Sequence, residues 1–167
     1  LGENVSRGAA ADETVAQYRR LFAALKTSGA DAHVSIKLTQ FGWDLDKDRA
    51  LERVRECVRI AAENDTILAI DMEGSEYVQS TVDAYEQLAS EFRSVALCLQ
   101  AYLHRTPDDV KRLDKLKPYI RLVKGAYRER SAVALQSRSE IDARYRALAA
   151  ELLRGSSRGT RVVFGSH

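Results

Sequence analysis

The chain has 167 residues, room for one ordinary domain with a sizeable core. Hydrophobic residues make up 45% and charged residues 30%, a soluble globular balance. Lys and Arg total 26 against 24 acids, a net charge of +2 that gives no reason to expect a nucleic-acid partner. No apolar run approaches the ~20 residues of a membrane-crossing helix. The chain starts Leu1-Gly2-Glu3, with no Met and no signal-like region, and stops at Phe164-Gly165-Ser166-His167 with no closing helix. Both ends read as breaks inside a larger fold. Cys57 and Cys98 each sit among apolar residues, as two buried thiols in a reducing cytoplasm would. Neither has ligands at a spacing that suggests a metal.

In chain order, residues 14–25 carry Val15, Tyr18, Leu21, Phe22 and Leu25, an apolar stripe at helical period. Asp12 and Glu13 suit its first turn and Gly29 its exit. Residues 33–39 (HVSIKLT) alternate as a strand does. A second helix is expected over 48–63, with Leu51, Val54, Val58 and Ala61 on one face. Residues 66–72 (TILAIDM) form a nearly continuous apolar run, the mark of a strand covered on both faces. A third helix follows over 75–92, then a buried strand over 95–103 (VALCLQAYL). Thr106-Pro107-Asp108-Asp109 reads as a helix start, with Thr106 as cap and Pro107 in the first turn of a short helix. The fourth strand is 119–123 (YIRLV). Ile141, Tyr145, Leu148 and Leu152 mark a long helix ended by Gly155, and a further strand begins at Arg161.

Strands alternating with helices imply a parallel sheet with right-handed crossovers. A doubly wound sheet and a (β/α)8 barrel both fit. The doubly wound nucleotide site usually carries a Gly-rich first turn, and no G-x-G-x-x-G occurs here. The expected architecture is therefore a TIM-like (β/α)8 barrel, incomplete, with about five to six parallel strands in one partial domain, residues 1–167, truncated at both ends.

Barrel chemistry sits at the C-terminal ends of the strands, and there the polar residues of this chain collect. Lys37 and Thr39 close one strand, Asp71 and Glu73 the next, Gln100 and Tyr102 the third. Each pair is spaced i, i+2, so both members should share one side of the sheet. The fourth strand supplies Arg121, then Lys124-Gly125-Ala126-Tyr127, and the fifth ends in Ser166-His167. Burying Lys37, Asp71, Arg121 and Lys124 is costly unless they pair or bind something. A structural ion-pair network is the plainer alternative to a binding or catalytic site. Two Lys and one Arg suit a carboxylate or a phosphate. Gly125 and Ala126 are small enough for a flat ring to approach their backbone. No Ser-His-Asp order suggests a hydrolase, and His33 and His104 read as surface residues.

Four blocks carry a resemblance: VSIKLTQFG (34–42), IDMEGSEY (70–77), LQAYLHRT (99–106) and RLVKGAYRE (121–129). In residues, order and spacing they resemble the barrel motifs of bacterial proline dehydrogenase, more the stand-alone enzyme than the long bifunctional one. The resemblance implies a (β/α)8 barrel that binds FAD at the strand C-terminal ends and oxidises L-proline to 1-pyrroline-5-carboxylate. Electrons then pass to a quinone, in a cytoplasmic protein that touches the inner membrane peripherally. It implies that Lys37 holds the proline carboxylate and that Asp71 organises the charged groups of the substrate site. Arg121 would lie near flavin N5 and tune it, and Gln100 would hydrogen-bond the isoalloxazine. Met72, Lys124, Gly125 and Ala126 would line the flavin, and Tyr127 would pack beside the proline ring. Ser166 and His167 stand where the family has a Thr-His pair near the cofactor. The two arginines with which the family clamps the substrate carboxylate have no counterpart in these residues, so an isolated chain of this length is expected to be inactive. A Schiff-base enzyme of the class I aldolase kind, with Lys124 as nucleophile, is the rival reading.

Overall fold

The structure, a computed structural model, describes residues 5–165. Ser166 and His167 lie outside the described residues. Among the described residues five helices and five strands alternate: α1 Gly8–Ser28, β1 His33–Ile36, α2 Lys47–Glu63, β2 Ile67–Ile70, α3 Val78–Glu91, β3 Val95–Gln100, α4 Thr106–Leu113, β4 Tyr119–Val123, α5 Arg138–Ser156 and β5 Arg161–Phe164. This is the order read from the apolar periodicity. Two short 3-10 turns, Leu38–Phe41 and Asp114–Leu116, are added to it. The chain forms two compact units, Leu1–Asp71 with Gln87–Val95, and Met72–Glu86 with Ala96–His167.

In the first unit β1 and β2 run parallel, with Val34 opposite Leu68 and Ile36 opposite Ile70. The ladder continues past the strand ends, because the Asp71 N–H donates to the Ile36 carbonyl at 2.8 Å. α1 turns Ala11, Val15, Tyr18 and Phe22 inward, all buried. Tyr18 stacks on Phe41 with ring centroids 5.6 Å apart. A side chain such as Phe22, fully buried, contributes about 1.5–3 kcal/mol through apolar area alone. Gly29 closes α1 in the left-handed region at φ 65°, where a side chain would be strained. α2 starts at Asp46, whose carboxylate accepts from the Arg49 N–H at 3.0 Å. Buried Arg53 crosses to α1, donating to Asp12 at 2.8 Å and to the Phe41 carbonyl at 3.1 Å.

In the second unit β3, β4 and β5 run parallel in that order, with Gln100 opposite Val123 and Arg121 opposite both Cys98 and Val163. The six residues of β3 are all buried, as its unbroken apolar run requires. β4 alternates, with Ile120 and Leu122 buried and Arg121 on the other face. Arg112 of α4 bridges to Asp83 and Glu86 of α3 at 2.6 and 2.5 Å. Both cysteines are buried thiols outside any disulfide, and burial pushes the Cys57 thiol up to about 12.

Several local expectations are corrected. α1 begins at Gly8, so Asp12 and Glu13 lie past its first turn, and Asp12 serves as the partner of Arg53. Arg105, not Thr106, holds the cap position of α4. The Thr106 hydroxyl instead donates back to the Gln100 carbonyl at 2.5 Å. Gly155 lies inside α5, where a Cβ would meet the Thr160 hydroxyl at 2.9 Å. Close packing, not chain reversal, explains that glycine. The strands are shorter than expected: β1, β2 and β3 stop at Ile36, Ile70 and Gln100, so Thr39, Glu73 and Tyr102 lie past their ends, and Thr39 sits in the 3-10 turn Leu38–Phe41.

Candidate active site

In the first unit the strand register sets the chemistry. Ile36 and Ile70 are cross-strand partners, so the next residues, Lys37 and Asp71, emerge side by side at the C-terminal ends of β1 and β2. Lys37 Nζ and Asp71 Oδ2 stand 3.6 Å apart, with a quarter and a fifth of their side chains exposed. A half-buried ammonium beside a carboxylate suits a zwitterion, offering one charge to each end. Below the pair the chain is held by buried hydrogen bonds. Gln40 is buried, and its Oε1 accepts the Lys37 N–H at 2.8 Å. The Tyr18 hydroxyl lies 3.0 Å from the Ser35 carbonyl and 3.2 Å from the same Gln40 oxygen, with one hydrogen to share. Its pKa is pushed up to about 12, chiefly by burial and then by the charges of Cys57 and Asp71.

The second unit holds the other candidates, organised around Gln100. Its amide nitrogen donates to the Met72 and Glu73 carbonyls, each at 3.2 Å, and its oxygen accepts the Ala126 N–H at 3.2 Å. Gln100 thus joins the loop after β2 to the loop after β4, and both its donors are committed to backbone. Met72 is buried, while Ala126 is exposed and Arg121, Lys124, Gly125 and Tyr127 are half-buried. Gly125 adopts φ 143°, and a Cβ there would fall 2.4 Å from the Tyr102 ring. A flat ring does approach this glycine, and it belongs to the protein. Tyr102 also donates its hydroxyl to the Tyr127 carbonyl at 3.1 Å. Burial first, then the Glu129 charge, push that hydroxyl up to about 12. The Lys124 ammonium is engaged by Asp142 of α5 at 2.6 Å, and that hydrogen bond holds the Asp142 carboxyl below its usual range. A Schiff-base lysine needs a nearby acid, and Asp142 is one, though the lysine would first have to leave this ion pair to react.

Sequence reasoning named the residues in each unit and missed their partners. Asp142 sits on the polar side of a periodic helix, and Ser75 and Glu129 fall inside the blocks 70–77 and 121–129, but nothing local to any of the three marks its partner. Glu129 accepts from the Ser75 N–H at 2.8 Å and from its hydroxyl at 2.7 Å across 54 positions of chain. Only the tertiary path brings them into register.

Comparison with known proteins follows the same residues. The family model described as Proline dehydrogenase matches residues 1–167. The chain is 35% identical over 148 residues to Proline dehydrogenase 2 of Bacillus subtilis (strain 168), covering 89% of this chain and 49% of that protein. It is 33% identical over 162 residues to the proline dehydrogenase of Deinococcus radiodurans, covering 94% and 52%. It therefore spans about half the length of the curated relatives it matches. Among solved structures, proline utilization A from Bdellovibrio bacteriovorus, inactivated by N-propargylglycine, superposes with a TM-score of 0.87 at 24% identity, covering 100% of this chain and 22% of the other. At that identity the likeness speaks to fold, and it places the five parallel strands and their helices in a TIM-like α/β barrel, here incomplete. With the family model matching along its whole length, the chain belongs to the proline dehydrogenase family.

Proposed function

We propose that the protein carrying this chain oxidises L-proline to 1-pyrroline-5-carboxylate with FAD and passes the electrons to a quinone. The observation that carries this reading is the family match over residues 1–167. The Lys37–Asp71 pair at the strand ends supports it from the chemistry side, since proline is a small zwitterion. Lys37 binds the carboxylate. Asp71 orients Lys37 and meets the charged amine. Tyr127 packs beside the ring. In the reaction the C–H bond next to nitrogen breaks, its hydrogen leaves with both electrons, the nitrogen lone pair forms the C=N bond, and the amine proton is released.

The residues present fit a flavin. The Gly125–Ala126 backbone is reachable, with Ala126 exposed. Arg121 and Lys124 supply positive charge for a phosphate or for a ring that becomes negative. Gln100 Oε1 accepts one hydrogen bond from Ala126 and has a second lone pair. Met72, Gln100, Arg121, Lys124, Gly125 and Ala126 would hold the group. When bound, it supplies the hydride acceptor. Asp71 and Arg121 are the catalytic residues in this reading, and the others bind and position. No helix among the described residues is long and apolar enough to cross a membrane. A cytoplasmic enzyme reaching its quinone by peripheral contact with the inner membrane fits the proposed chemistry.

The test is the visible spectrum of the purified whole protein, followed by anaerobic L-proline. Flavin bands that bleach with L-proline and persist with D-proline are expected. A protein that stays colourless after added FAD would sink the proposal.

A further inference from the structure

We propose that Glu129 is a positioning residue, whose carboxylate latches the loop after β4 onto the loop after β2 and so fixes how Ala126 and Tyr127 are presented. This rests on the function proposed above and adds to it a residue outside the candidate set. The loop between β4 and α5 is held in two halves. Its second half is tied by backbone to the segment after β3: His104 N–H to the Val133 carbonyl at 3.0 Å, Leu135 N–H to the Tyr102 carbonyl at 2.9 Å, and a bridge between Leu103 and Ala134. Its first half, which carries Ala126 and Tyr127, depends on side chains.

Besides Gln136, whose amide nitrogen donates to the Glu129 carbonyl at 3.2 Å from within the same loop, three side chains act there. Gln100 accepts the Ala126 N–H, Tyr102 donates to the Tyr127 carbonyl, and Glu129 takes both the N–H and the hydroxyl of Ser75. Two donors on one carboxylate make the Glu129 contact the strong one, because charge-assisted hydrogen bonds exceed neutral ones about twofold. Ser75 lies two residues beyond Glu73, whose carbonyl Gln100 also binds. Gln100 and Glu129 therefore span the same two loops at two points, and two points fix an orientation where one would leave a hinge.

The test uses the whole protein and the variants Glu129→Ala, Glu129→Gln and Ser75→Ala. In Glu129→Ala, amide hydrogen exchange should speed up over 72–77 and 125–130 and stay unchanged at His104 and Leu135, whose N–H groups tie the second half of the loop to the segment after β3. The proline KM should rise about tenfold, the fold-change of one charge-assisted hydrogen bond, with little change in Tm. Glutamine can still accept from the Ser75 N–H and can donate to its hydroxyl, so Glu129→Gln should restore most of both properties. Ser75→Ala keeps the N–H contact and should give the same exchange pattern at smaller amplitude, even where Glu129→Ala folds poorly. Unchanged exchange in the two loops would overturn the latch. Faster exchange with wild-type kinetics would overturn the positioning role. A parent protein that proline does not reduce would refute the proposed function instead, and the exchange result would still stand by itself.

Discussion

The two units carry their polar strand ends differently. At the end of β1 and β2, Lys37 and Asp71 meet because the ladder simply runs one rung further, and both stay partly open to solvent. At the end of β3 and β4 the ladder also runs on, from the Ala101 N–H to the Val123 carbonyl and from the Tyr102 N–H to the Lys124 carbonyl, but beyond it a buried glutamine, a tyrosine ring and a distant carboxylate clamp the loops. The first arrangement leaves charge exposed for a ligand and adds little to stability. The second commits its polar groups to the protein and shapes a surface. The comparison predicts that variants of the first should change binding more than folding, and that variants of the Gly125 and Gln100 contacts in the second should do the reverse, while Glu129, at the partly exposed edge of that clamp, acts on presentation rather than on folding.

Gly125→Ala should have the largest effect. Its φ of 143° is hostile to a side chain, and the new Cβ would overlap the Tyr102 ring. Strain and overpacking together should cost about 3 kcal/mol, read as a fall in Tm. A Tm within 1 °C of the parent would mean the loop is free to re-form.

Gln100→Ala comes next. It strips partners from the Met72 and Glu73 carbonyls and from the Ala126 N–H, for a loss of about 2 kcal/mol by denaturant titration. Gln100→Glu should do no better, because it removes both donors and faces two carbonyls with a charge.

A third effect should appear only at high pH. Tyr18 and Tyr102 are both raised from 10.0 to about 12, mainly by burial. Their folded pKa values exceed the unfolded ones, so their contribution is complete below pH 10 and is lost as pH rises from 10 through 12. Tyr18→Phe and Tyr102→Phe should each flatten the alkaline loss of Tm. If neither does, these hydroxyls are better solvated than their burial suggests.

Lys37→Met should shift stability least, within about 1 kcal/mol, as a partly exposed ion pair should. In the proposed enzyme it should still raise the proline KM at least tenfold, the signature of lost binding rather than lost structure. A large fall in Tm with an unchanged KM would reverse the contrast between the units.

The order of elements was legible because each carries its own period: 3.6 in α1 and α2, unbroken apolar runs in β2 and β3, alternation in β4. Strand ends were legible only approximately. Residues 37–39 continue the alternation of β1, yet Leu38–Phe41 closes into a 3-10 turn that buries Thr39 and Gln40. Thr106 has the chemistry of a cap, but a strand-end carbonyl takes its hydroxyl first. Local sequence lists what a residue can do, and its surroundings choose among the options.

By itself, then, the sequence determined the alternating strand–helix chain, the charged residues gathered after the strands, and the blocks that tie it to its family. Those signals are local, written within a few residues of one another. The tertiary structure decided who meets whom: Lys37 with Asp71, Lys124 with Asp142, Glu129 with Ser75, Tyr102 beneath Gly125. The physical reason is separation along the chain. Contacts between residues 18 to 54 positions apart leave no periodic trace, and they exist only once strand register and loop path have set the distances.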